Sequence, residues 1–184
     1  EIQSLIDAID ENEGRINRVG AAIVFIFFVL VAGAIILGTN GYSYFVSMDN
    51  ARRDFGNQRY NDAYNEISGI KNVREEDETF VLQVETVMMT YKHLNSFQNF
   101  YSMGLYPQAL DSLLKGMKRY DKYSGIAAVI DVDKDLNNIR GTFVERLNTV
   151  FGLSEQEAIQ ISAIEDQEEY TAKVYEIADK FMKE

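Results

Sequence analysis

From Val19 to Gly38 the chain runs 20 residues without a charge, and no charge follows until Asp49. Ile, Val, Phe, Leu, Ala and Gly fill the run on every face, where an amphipathic core helix would show a polar stripe. At about 1.5 Å per residue it rises roughly 30 Å, the thickness of a hydrocarbon core. The pattern predicts a transmembrane helix over 19–38. A cleaved signal peptide is the rival: Ala32-Gly33-Ala34 has the form of a cleavage site, and Arg15 and Arg18 would serve as its basic lead. A signal's apolar region is usually about 7–15 residues. Here Ile35, Ile36 and Leu37 carry the run past Ala34, and five acids precede it. The retained helix is the better reading. Ahead of it, Ile2, Leu5, Ile9, Ile16 and Val19 recur at helical spacings, broken at Asn12 and Glu13. They predict an amphipathic juxtamembrane helix over 1–18, the segment through which a homo-oligomer would form.

Beyond the span the periodicity stays helical. Phe80, Val84, Val87, Met88, Tyr91, Leu94, Phe97 and Tyr101 trace one face of a long helix, which Gly104 ends. Pro107 sits where a first helical turn accepts proline. Leu136, Ile139, Phe143, Leu147 and Val150 trace another stripe, ended by Gly152. Ser154 and Glu157 form a capping-box pattern, and Tyr170, Val174, Ile177, Ala178 and Phe181 mark a terminal helix. The only strand-like run, residues 126–132, is short and reads equally well as a helix end or an extended linker. The expectation is all-α, with residues 44–184 as one helical domain.

Three stretches share a pattern: FGNQRYNDAYNEI (55–67), YSMGLYPQALDSL (101–113) and VFGLSEQEAIQIS (150–162). In each, a helix and a short turn precede a helix whose first turn carries Ala63, Ala109 or Ala158, where a small side chain lets antiparallel helices approach. Tyr60 and Tyr106 stand three residues earlier, and Glu155 takes that place in the third copy. The turn and second helix run Gly, aromatic, Ala, large apolar, small: Gly104, Tyr106, Ala109, Leu113 and Gly116 in the second copy. The first has Tyr60, Ala63, Ile67 and Ile70, with Gln58 where glycine is usual. This resembles the tetratricopeptide repeat family. The resemblance implies a helical-hairpin solenoid, here about three hairpins plus a terminal helix, with a concave face that binds peptides. The copies lie 46 and 49 residues apart, beyond the roughly 34 of that repeat. The family's Trp and terminal Pro are missing, so the resemblance covers two segments well and the third poorly.

Charge settles orientation and excludes some partners. Arg15 and Arg18 flank the span on one side, while no base follows it until Arg52. The positive-inside rule then places the N-terminus in the cytoplasm and residues 40–184 outside a cell membrane, crossed once, with Tyr42, Tyr44 and Phe45 at the outer interface. The chain carries 29 acids against 18 bases, a net charge of −11, and no basic run stands out. Nucleic acid is therefore not an expected partner. It has no cysteine, which is compatible with either side of a membrane.

Candidate chemistry is sparse. Asp131, Asp133 and Asp135 open like a calcium loop, but Leu136 stands where that loop needs Gly and Thr142 where it needs a bidentate Glu. Helix capping is the better reading. His93 is the single histidine and lies off the main stripe without a metal-ligating companion. The acidic runs at 75–78 and 165–169 read as solvated helix starts. No catalytic constellation, cofactor site or metal site is recognised, and no enzyme activity is expected. The unusual feature is 11 Tyr and 11 Phe. Phe97, Phe100, Tyr101, Tyr106 and Tyr120 crowd one hairpin and are the candidate partner-binding residues, with Phe100 and Tyr106 expected to be exposed. The alternative places these rings in the core. The expected function is a membrane-anchored scaffold or adaptor that binds proteins or peptides in envelope or membrane-complex assembly. The alternative is a receptor or signal-relay subunit coupling an outer helical domain to the cytoplasmic segment.

Overall fold

The computed structural model describes residues 18–181. The helix expected over 1–18, and the oligomer contact assigned to it, lie almost wholly outside the described residues. Among those described, all regular structure is helical and no strand occurs. The elements are α1 (Arg18–Gly56), α2 (Tyr60–Ser68), a 3-10 turn (Glu75–Asp77), α3 (Glu78–Ser102), α4 (Tyr106–Ala127), α5 (Asp133–Phe151), α6 (Glu155–Ser162) and α7 (Gln167–Phe181). The chain divides into two compact units between Val46 and Ser47.

In the first unit, α1 is long and apolar enough to cross a membrane, with a mean hydropathy of 3.0 over its most apolar window. Its large side chains are exposed all round: Ile23, Phe25, Phe27, Phe28, Leu30 and Ile36 all face away from other protein. The helix does not stop near Gly38, as the apolar run alone predicts. Gly38 and Gly41 stay helical, no proline intervenes, and DNARRDF continues the helix to Gly56.

The second unit is built around α4, which lies against α3, α5, α6 and α7. Its sequence explains this centrality. Leu110, Leu113, Leu114 and Met117 are all but fully buried at i, i+3, i+4 and i+7. Ala109, Ser112 and Gly116 line the neighbouring face and are buried too. Small residues there let other helices close in. Phe143 of α5 comes so near Gly116 that a Cβ at that position would stand 2.4 Å from its Cζ. Phe143, Leu136, Leu147 and Ala158 are fully buried in the same cluster.

The turns between paired helices share a geometry. Gln58, Gly104 and Gly152 are all left-handed, at φ 60°, 71° and 66°. The residues after the first two, Arg59 and Leu105, have φ/ψ of −87°/65° and −87°/66°. Each donates its N–H to the carbonyl five residues back, Arg59 to Asp54 at 2.8 Å and Leu105 to Phe100 at 2.9 Å. This closes the preceding helix in a Schellman-like way. The third turn has the same three residues, but its left-handed residue comes first, not second. Leu153 donates to Leu147 at 3.0 Å, and Ser154 opens α6 with both bonds of a capping box. Residues 126–132 end α4 and turn into α5, with Ile130 and Val132 buried and Asp131 left-handed at φ 57°. The run is apolar because it plugs the core, not because it is a strand.

Candidate functional site

Ala63, Ala109 and Ala158 each begin a second helix and are fully buried, with no exposed surface. The five aromatics at the second hairpin occupy different environments. Phe97 is buried and stacks on Tyr101 at 5.5 Å, and Tyr101 meets Tyr106 edge-on at 5.7 Å. Of the five only Tyr101 is classed as exposed, at 38%. The expectation that Phe100 and Tyr106 stand exposed is corrected: both are half-buried and pack against the core cluster. They leave the α3 stripe, but they fall at the closed end of the hairpin, where the turn folds them inward. Tyr120 is half-buried too. It donates to Asn137 Oδ1 at 2.7 Å, and the Arg140 guanidinium lies 5.6 Å from its ring.

A second aromatic ladder escaped the sequence reading. Phe55, Phe80, Tyr60 and Tyr91 pack edge-to-face, with centroids 5.1–5.8 Å apart, and seal the start of the second unit. The Tyr60 hydroxyl donates to Asp135 at 2.7 Å, across 75 residues of chain. Burial and that carboxylate push its pKa far up. Asp135 therefore serves as a half-buried acceptor. No group of residues suited to hold a metal occurs among those described. Asp77, read as part of a solvated acidic start, is buried and takes Arg52 at 2.5 Å, whose guanidinium also covers the Phe80 ring.

A surface hollow runs along α4. Three adjoining cavities, of about 200, 160 and 620 Å3, extend from Pro107 to Asp121 between α4 and the α6–α7 turn with α7. The first two share Lys115, Gln167 and Tyr170, and the last two share Lys118, Ser162, Ile164 and Gln167. They form one groove of about 21 Å at 1.5 Å per helical residue. At its Pro107 end Tyr170 donates to one Asp111 oxygen at 2.8 Å, and Lys115 reaches the other at 2.7 Å. Burial and Asp111 push the Tyr170 pKa far up.

The α4 ridge beside this groove is basic, which the composition concealed. Lys115, Lys118, Arg119 and Lys122 lie within eight residues of an otherwise acidic chain. Lys118, Arg119, Lys122 and neighbouring Lys92 have no carboxylate within ion-pair distance among the described residues. His93 registers this field. Burial first, then Lys92, Arg119 and Lys115, lower its pKa to about 4, against a smaller opposing pull from Asp111. Its Nε2 is buried without a hydrogen-bond partner among the described residues. The segment LLKGMKRYDK, residues 113–122 of α4, carries the signal for this ridge.

No family model, curated protein or solved structure matches the chain.

Proposed function

We propose that this chain is a single-pass membrane protein whose helical unit binds other proteins or peptides, as a scaffold or adaptor in membrane-complex assembly. The observation that carries the reading is the groove along α4, an open channel of mixed polar and apolar lining between α4, the α6–α7 turn and α7. The exposed apolar faces of α1 between Val19 and Ile36 support the anchor, since bilayer is the solvent that covers such a surface at no cost. The flanking arginines support a cytoplasmic N-terminus and an outer helical unit.

Three helix pairs, three fully buried alanines and matching left-handed turns support a tetratricopeptide-like origin for that unit. The contact of α4 with α7 departs from a strictly linear stack. It folds the last helix back along the second pair and so creates the groove wall.

Crosslinking tests the reading. A photo-crosslinking residue at Gln167, in the full chain in its native membrane, should give discrete adducts with a protein partner. The same residue at Glu145, an exposed position on α5, should not. Equal, diffuse labelling from both positions contradicts a binding groove.

A further inference from the structure

We propose that the Lys71–Asn72 peptide bond is the site at which a Lys- or Arg-directed endopeptidase severs the folded chain, and that the two pieces stay assembled after the cut. The bond lies in the nine residues, 69–77, that separate α2 from α3. This is the longest break between α-helices among the described residues, the others being three to five residues long. An endopeptidase takes its substrate extended, so a bond inside a helix is cut only after local unfolding, while an exposed loop is cut directly. Of the bases among the described residues, all but Arg59, Lys71 and Arg74 lie within helices. Arg59 sits in a three-residue turn, with its N–H on the Asp54 carbonyl at 2.8 Å and its guanidinium on the Asp54 carboxylate. The Arg74 carbonyl accepts from the Asp77 N–H at 2.9 Å and is locked into the 3-10 turn. Lys71 and Asn72 are both exposed, and neither takes part in a hydrogen bond or ion pair among the described residues. Hydrolysis breaks their C–N bond, adding water's hydroxyl to the Lys71 carbonyl carbon and its hydrogen to the Asn72 nitrogen. A carboxylate and an ammonium group remain.

Side chains on both sides of the cut hold the pieces together. Phe55 and Tyr60, before it, pack edge-to-face on Phe80 and Tyr91, after it, at 5.8 and 5.1 Å. The Tyr60 hydroxyl donates to Asp135 at 2.7 Å, Arg52 pairs with Asp77 at 2.5 Å, and the Asn61 and Asn95 amides bond each other. Met48, Ala51, Ala63 and Ile67 are buried. None of these contacts involves residues 70–73. After the cut, α3–α7 are joined to α1 and α2 through them alone, so one hydrolysis turns a covalent tether into a releasable one. Release from a membrane then follows from the anchor proposed above, and that consequence rests on that reading.

The test treats the full chain in nanodiscs briefly with dilute trypsin and reads fragment masses. The first cut within residues 47–181 should give one product that ends at Lys71 and one that begins at Asn72. Lys71→Gln removes no contact among the described residues, so its fold is retained. It should slow the first cut at least about tenfold, since the helical bases become accessible only by local unfolding. Lys134→Gln, at an exposed position on α5, should be cut as fast as the wild type. The nicked chain should keep both fragments on the nanodisc in buffer. The fragment beginning at Asn72 should then leave it at a lower urea concentration than unfolds the uncut chain. First cuts within α3–α7, or after Arg59 or Arg74, overturn the site, as do equal rates for Lys71→Gln and wild type. Separation of the fragments in buffer alone overturns the assembled state. A cut at Lys71 followed by loss of the Glu1–Lys71 piece from the nanodisc would sink the anchor and leave the cleavage site standing.

Discussion

Phe143 of α5 lies across Gly116 of α4, its ring edge filling the space a Cβ would need, with Cζ 2.4 Å and Cε1 2.5 Å from the built position. Phe143 is fully buried, so its ring cannot move aside into solvent. Gly116→Ala should therefore cost about 1–3 kcal/mol by overpacking, although alanine favours the helix. Denaturant unfolding of the full chain in detergent, followed by tyrosine fluorescence, measures it. Phe143→Leu in the Gly116→Ala background should recover part of the loss. Additive losses would show that the two side chains do not compete for one space.

The shared turn geometry makes a paired prediction. Gln58 holds the left-handed conformation that Gly104 holds in the next turn. Gln58→Gly should stabilise by up to about 1 kcal/mol, while Gly104→Ala should destabilise by about 1–2 kcal/mol. Melting temperatures should move in opposite directions, although both substitutions lie in exposed turns.

Thr90 is fully buried on α3, and its hydroxyl has no hydrogen-bond partner among the described residues. Thr90→Val keeps the shape and removes the unpaired group, so it should stabilise by about 1 kcal/mol. Tyr170→Phe does the reverse. It takes a donor from Asp111 and should destabilise by about 1–2 kcal/mol. Equal melting of wild type and Thr90→Val would contradict the packing of that site.

His93 gives the fold an acid dependence. Its folded pKa is lowered from 6.5 to about 4, so the unfolded chain binds the proton more readily. The neutral ring's advantage is fully present above pH 6.5. It is lost progressively as pH falls toward about 4. Stability of the wild type should therefore drop over that window. His93→Gln, which cannot titrate, should show a shallower drop, measured as the denaturation midpoint against pH.

Much of this architecture is legible along the chain because it is local. The 3.6-residue stripes of α3 and α5, the stops at Gly104 and Gly152 and the capping box at Ser154 each depend on neighbours within a few positions. The environments of the aromatics are not local. Phe97 and Tyr101 lie four apart on one helix, yet one is buried and the other partly open, since what covers them comes from elsewhere in the chain. The Tyr170–Asp111 bond spans 59 residues and Tyr60–Asp135 spans 75. No periodicity encodes such pairings. The groove is harder still, because its walls are α4 and α7, which only the folding-back of the last helix brings together. The basic ridge was hidden by averaging, four bases within eight residues against a chain of net charge −11.

Membrane anchorage with an outer helical unit is the central claim, and cysteine labelling tests it most directly. The chain has no native cysteine, so Ser4→Cys and Ser68→Cys each carry a single thiol. In intact cells a membrane-impermeant maleimide should label Ser68→Cys and leave Ser4→Cys unlabelled until the membrane is permeabilised. Alkaline carbonate should extract neither variant. Labelling of Ser4→Cys with protection of Ser68→Cys would invert the orientation, and carbonate release of the chain would contradict the anchor itself.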